Sequence, residues 1–320
     1  MPIGNLRSLC GVMVVWITSC KIALMNPFIL EVPGEFSLAQ CLAYLNRSPL
    51  ELLHQVEAGK VTKWIKTGSE MILFQISDFQ GKLQVKILRG EDNEKNNQAV
   101  RKYIVEWFDL DKDLAPFYDM ARKDALLSGL IKQYYGYRIV GQPDLYESLI
   151  WAVLGQQINL SFAYTLKQRF VREFGKKMVF DGKEYYLFPD PEIVAHLRLE
   201  ELLRLQLSGQ KGRYTIGISE AFVSGALSRE KLSGLSLNEA RDKLIKIKGI
   251  GNWTANYVLM KTFRYPNAFP AEDVGLHNAI RIQLQMQSKP TLDEVRKLFL
   301  RYKGWEAYAT LYLWRTLQED

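Results

Sequence analysis

Asp273 closes the segment Phe269-Pro-Ala-Glu-Asp273, and a helical pattern starts directly after it. A carboxylate at such a position lies against the positive end of a helix and tends to stay ionised. Held there, it can stabilise a positive charge developing nearby or orient a water molecule. It can equally be a plain helix cap, and Glu272 is the rival carboxylate. Upstream runs Leu244-Ile-Lys-Ile-Lys-Gly-Ile-Gly-Asn-Trp-Thr-Ala-Asn-Tyr257. An apolar helix there meets Lys248-Gly-Ile-Gly251, and a second helix begins at once. Two glycines two apart allow a tight turn with close backbone approach. The free N–H groups of the second helix then point outward, so that Gly249, Gly251, Asn252 and Thr254 form a phosphate site. An ordinary helix–helix turn has the same local pattern.

These residues need a scaffold, and the chain is large enough to supply one. It has 320 residues, 48% of them hydrophobic and 24% charged. That composition suits about two soluble globular domains and argues against disorder, collagen and a multi-span membrane protein. The net charge of +7 and the isoelectric point near 9.1 favour a polyanionic partner. The only cysteines are Cys10, Cys20 and Cys41, with no Cys-x-x-Cys pair, so cysteine-held zinc or iron–sulfur centres are excluded downstream. His54, His196 and His277 are scattered, which makes a histidine-based metal centre improbable. No Gly-x-x-x-x-Gly-Lys-Ser/Thr loop occurs, and no nucleotide cofactor is expected.

Residues 1–24 stand apart. Leu9 to Thr18 is apolar and follows Arg7, as the core of a signal peptide would. Ile17-Thr18-Ser19-Cys20 resembles a lipoprotein processing box, although the run is too short for an ordinary spanning helix. An over-extended start before Met25 and a packed N-terminal element are the other readings.

Residues 25–110 read as a small α+β domain. Ser37 is the expected cap of a helix over Ser37–Leu45, followed by an antiparallel meander of Val61–Thr67, Glu70–Asp78 and Lys82–Leu88. From about Gln98 onward nearly everything reads as helix, and residues 111–320 form an all-α domain. Leu145–Phe174 is one long amphipathic stretch, with Leu149, Val153, Ile158, Phe162, Leu166 and Phe170 on its buried face. Thr291-Leu-Asp-Glu294 has the pattern of a capping box.

Together, Ile247-Lys-Gly-Ile-Gly-x-Trp-Thr-Ala255 and Phe269-Pro-x-x-Asp273 resemble the helix-hairpin-helix DNA glycosylase superfamily. Within it, the chain is most similar to the bacterial 3-methyladenine DNA glycosylase II family. Leu154-Gly-Gln-Gln-Ile158, Gln210-Lys-Gly-Arg213 and Trp305-Glu-Ala-Tyr-Ala309 agree with it. The resemblance covers residues 110–320 well and residues 30–110 through the order of elements. It implies that Asp273 is the essential aspartate and that Trp253, Tyr257 and Trp314 line a base pocket. Gln157 takes the position of the wedge that fills the gap left by a flipped nucleotide. The carbonyls of Ile245, Ile247 and Ile250 match positions that hold a monovalent cation. Trp253 stands where bifunctional members carry a Schiff-base lysine, which implies base removal by water without strand cleavage.

The implied chemistry is consistent with these residue types. A stacked base must be flipped out before it can be attacked. An N3- or N7-alkylated purine is cationic, leaves as a neutral molecule and is attracted by electron-rich rings. The sugar left behind becomes oxocarbenium-like, and an ionised carboxylate stabilises that charge. The expectation is therefore a monomeric, cytoplasmic alkylpurine DNA glycosylase acting on damaged duplex DNA, with no membrane attachment and no required cofactor. Competing readings are a non-catalytic hairpin DNA-binding protein, an exported protein anchored through Cys20, and a glycosylase for an oxidised or deaminated purine.

Overall fold

The computed structural model describes residues 27–91 and 93–318. The apolar run Leu9–Thr18, Cys20 and the start at Met25 lie outside the described residues. Five strands form an antiparallel sheet: β1 (Phe28–Leu30), β2 (His54–Glu57), β3 (Lys60–Thr67), β4 (Glu70–Phe79) and β5 (Lys82–Arg89). Their order is β1-β5-β4-β3-β2, so the expected meander is the centre and two short strands edge it. Gln80 (φ +55°) and Gly81 (φ +77°) both adopt the left-handed conformation that closes the β4–β5 hairpin. Ser37 caps the helix Leu38–Leu45 by accepting from the Gln40 N–H.

Ile72, Phe74 and Ile76 of β4 alternate onto the face where Val100 and Ile104 of the helix Glu94–Trp107 pack. Leu73 points the other way, which a half-buried sheet would leave wet. Here it is covered. Trp64 and Leu73 pack with Tyr185 and Leu187 in a second cluster. Those two residues belong to a hairpin, β6 (Lys176–Phe180) and β7 (Lys183–Leu187), inside the stretch expected to be helical. Asp181 (φ +49°) and Gly182 (φ +72°) form its turn, flanked by β-branched and aromatic residues. The Asp-Gly signal was local and outweighed by its helical surroundings.

The stretch Leu145–Phe174 is also corrected. It is two helices, Leu145–Gly155 and Leu160–Phe174. Asn159 starts the second by accepting from the Phe162 N–H at 2.8 Å, and Gln157 between them has φ +56°. Of the expected buried face, Leu149, Val153, Leu166 and Phe170 are buried and Ile158 half-buried, but Phe162, in the first turn after the break, is exposed. The remaining helices that carry the site are Gly209–Val223, Leu237–Leu244, Asn252–Val258, Val274–Gln283 and Glu306–Arg315.

One hydrophobic core runs from Leu30 to Leu313 across sheet and helices. Buried charges staple the two halves. Lys167 donates to Glu51 Oε2 at 2.9 Å and stands 3.7 Å from Glu147. Lys261 donates to Tyr44 Oη at 3.1 Å and to the Val140 carbonyl. Arg138, fully buried, donates to the carbonyls of Asp109, Glu35 and Lys112. No helix among the described residues is long and apolar enough to cross a membrane.

Candidate active site

The hairpin joins Leu237–Leu244 to Asn252–Val258. Ser236 and Glu239 cap the first helix reciprocally. At the turn, Gly249 has φ +96°, and a Cβ there would lie 2.3 Å from the Tyr214 ring. The backbone rests directly on that ring, so only glycine fits. Gly251 caps the second helix with no side chain, and both it and Asn252 are exposed. The first-turn N–H groups of that helix have no partner within it. Exposed Lys246 and Lys248 flank the turn. Thr254 is placed differently from Gly249, Gly251 and Asn252. Its side chain is buried and its hydroxyl accepts from Gln156 Nε2 at 3.1 Å, so only its backbone is on offer. Of the three carbonyls expected to hold a cation, that of Ile247 accepts from the Ile250 N–H at 3.0 Å, while Ile245 is exposed and Ile250 buried. Among the described residues no group of three or more His, Cys, Asp or Glu side chains could hold a metal ion.

After Val258 the helix widens into a π-turn, Leu259–Phe263, and Arg264 at φ +56° ends it. The following loop is fixed at both ends. The Ala307 N–H donates to the Pro266 carbonyl at 2.9 Å, and His277 Nε2 lies 2.7 Å from the Ala271 carbonyl. His277 Nδ1 lies 3.0 Å from the carbonyl of Pro290. A neutral imidazole carries one N–H and serves one of these carbonyls; the imidazolium serves both.

That loop delivers Asp273 as the cap of Val274–Gln283. Its Oδ1 accepts from the Leu276 N–H at 2.7 Å and from Trp314 Nε1 at 2.8 Å. Its Oδ2 accepts from Trp253 Nε1 at 2.9 Å. All three donors are neutral, and a carboxylate has room for a fourth. Gly275 leaves this space open, since a Cβ there would lie 2.9 Å from Oδ1. Glu272 is exposed and faces Arg296 at 3.7 Å. Asp273, and not its rival, therefore meets the aromatic side chains.

Those side chains form one surface. Trp253 and Tyr257 stack with centroids 5.4 Å apart and 19° between planes, and Tyr257 meets Trp314 at 6.2 Å and 47°. The indole N–H groups of Trp253 and Trp314 are both spent on Asp273, so these rings offer π faces rather than polar edges. Tyr257 Oη accepts from Trp151 Nε1 at 2.9 Å, and burial pushes its phenol up, which keeps it neutral.

Gln157 sits exposed at the tip of the turn between Leu145–Gly155 and Leu160–Phe174. Gln156 is tied down instead, donating to the Gly249 carbonyl at 2.9 Å as well as to Thr254. Sequence reasoning missed Trp151, Gln156, Lys211 and Tyr214 as parts of the site. Gln156 had a signal in the paired amides, and Lys211 lay within the Gln210-Lys-Gly-Arg213 segment. Trp151 and Tyr214 reach their partners only through the fold.

Two family descriptions divide the chain. Residues 150–303 match the HhH-GPD superfamily base excision DNA repair protein, and residues 36–149 match the 8-oxoguanine DNA glycosylase N-terminal domain. A DNA-3-methyladenine glycosylase of Bacillus subtilis is 44% identical over 292 residues, covering 90% of this chain and 96% of its own length. DNA-3-methyladenine glycosylase 2 of Escherichia coli is 29% identical over 57% of this chain and 61% of its own. Among solved structures, the 3-methyladenine DNA-glycosylase from Archaeoglobus fulgidus superposes with a TM-score of 0.79 at 23% identity, covering 90% of this chain and 97% of that one, a likeness of fold. The Schizosaccharomyces pombe 3-methyladenine DNA glycosylase in complex with abasic DNA gives 0.55 at 27% identity, over 62% of this chain and 95% of that one. With its antiparallel sheet domain, its hairpin and its capped aspartate, the chain belongs to the helix-hairpin-helix superfamily of base-excision DNA repair proteins, in the DNA-3-methyladenine glycosylase family.

Proposed function

We propose that the protein is a monofunctional glycosylase that hydrolyses the N-glycosidic bond of alkylated purines in duplex DNA, of the 3-methyladenine and 7-methylguanine type. The observation that carries this reading is Asp273 held by the edges of Trp253 and Trp314, whose faces continue the Tyr257 surface. A cationic base gains about 0.5–2 kcal/mol from each good π face. It needs no general acid, because it departs neutral. The sugar cation forms beside a carboxylate whose three hydrogen-bond partners are neutral donors. Gly249, Gly251 and Asn252 grip the backbone through N–H groups, which positions DNA without reading sequence. Gln157 fills the gap left by the flipped nucleotide.

Position 253 is tryptophan rather than lysine, and Lys261 is buried against Tyr44, so neither position offers the sugar a free amine. This supports release without strand cleavage and counts against the bifunctional oxidised-purine reading. The reaction needs no cofactor. A monovalent cation on the carbonyls of Ile245, Ile247 and Ile250 would steady the hairpin only. The enzyme acts as a monomer on chromosomal DNA inside the cell. To test the proposal, purified protein is incubated with duplex DNA treated with a methylating agent. The expected result is free methylpurines by chromatography, with strands intact until alkali. Strand breaks before alkali would overturn the monofunctional reading. Salt-sensitive DNA binding with no base released would overturn the enzyme.

A further inference from the structure

The turn that carries Gln157 is clamped from two sides. Lys211 is buried and its Nζ donates to the Leu154 carbonyl at 2.6 Å, capping the C-terminal end of Leu145–Gly155 with a cation. One turn further along the same helix, Tyr214 lies under Gly249. On the other side, Gln156 Nε2 donates to both the Gly249 carbonyl and the Thr254 hydroxyl, at 2.9 and 3.1 Å. Gln157, next in the chain, has φ +56° and is exposed, while Ile158 after it packs against the core. The helix Gly209–Val223 thus touches the plug turn and the hairpin, and Gln156 bonds the two directly.

We infer that Gln156 is a positioning residue that locks the plug turn onto the hairpin, so that gripping the DNA backbone and inserting Gln157 occur as one event. This deepens the glycosylase reading and rests on it for the identity of the plug. An amide suits the task because one NH2 group supplies two N–H bonds and so satisfies two acceptors on the hairpin. Without it, the turn loses both side-chain bonds to the hairpin, and Gln157 samples positions away from the helix gap. Misplacement of about 1 Å is enough to cost on the order of a hundredfold in rate.

The test uses Gln156→Ala and Gln156→Glu beside the wild type. Gln156→Glu keeps the shape and can accept from the Thr254 hydroxyl, but it repels the Gly249 carbonyl. Insertion is read as the fluorescence rise of 2-aminopurine placed next to a tetrahydrofuran abasic analogue in a duplex. Turnover is read as methylpurine release with kcat and KM separated. Both variants are expected to lower the insertion rate and kcat about tenfold or more, with KM and undamaged-duplex Kd within about threefold of wild type. If Gln156→Ala melts early, Gln156→Glu carries the test. Insertion and kcat at wild-type levels in a folded variant would overturn the inference. So would a loss of undamaged-duplex binding in proportion to the loss of insertion. If the wild type releases no methylpurine while insertion still depends on Gln156, the glycosylase reading falls and the lock stands.

Discussion

Glu51 and Asp273 are carboxylates that accept hydrogen bonds on both oxygens, and the fold treats them in opposite ways. Glu51 lies between the sheet and the helices, where Leu52 and Leu53 donate backbone N–H groups and Lys167 donates an ammonium. Burial opposes its ionisation, but Lys167 and these donors outweigh burial and hold it well below the usual carboxylate range. Asp273 accepts from three neutral donors. Its position is fixed equally well, with no ammonium among these three partners. A neutralised carboxylate staples domains together. A carboxylate oriented by indoles and a peptide N–H keeps its field for a positive charge that arrives later.

The largest expected effect that would break this contrast is on stability. Lys167→Met removes the cation and leaves Glu51 and Glu147 buried together, and should cost about 3–5 kcal/mol in urea unfolding. A loss under 1 kcal/mol would mean that the staple is ornamental. Next comes Asp273→Asn. Asparagine is as good a helix cap as aspartate through Oδ1, but its NH2 group would face the Trp253 N–H, so stability should fall by about 1–3 kcal/mol while the fold is kept. Base release should fall on the order of a hundredfold or more, with DNA binding retained. Near-normal turnover in this variant would reduce Asp273 to a cap.

The smallest effect is one of pH. His54, beside Glu51, is pushed down to about 4 from 6.5, first by burial and also by Lys63, with Glu51 opposing. The unfolded chain therefore binds a proton near pH 6.5 that the folded one refuses until about pH 4. Glu51, also depressed, acts in the same direction at lower pH. This part of the stability is complete above pH 6.5 and lost as pH falls toward 4. Unfolding free energies from denaturant titrations at pH 7 and 4.5 should differ by about 2 kcal/mol, and His54→Gln should remove much of that difference.

Local chemistry made the candidate segment legible. Asp273 as a cap, the two hairpin glycines and the Trp253–Tyr257 spacing fall within thirty residues of chain, because caps, turns and helical periods are short-range rules, and it is their combination that marks a site. The antiparallel meander was legible for the same reason. The break at Gln157 was not, since two successive amphipathic helices and one long helix can share a hydrophobic pattern. Trp151 and Tyr214 were hidden more deeply. Each is an ordinary residue on an ordinary helix until the fold carries it to Tyr257 or Gly249.

The hairpin β6–β7 has a consequence in time. Trp64 and Leu73 emerge from the ribosome on a sheet whose second face is bare, and the residues that cover it, Tyr185 and Leu187, are made on the order of 110 residues later. At about 5–20 residues per second, that face waits roughly 5–20 s for its lid. During each round of synthesis an apolar strand face is open to strangers, so nascent chains stalled between those points are where this protein should meet its chaperones.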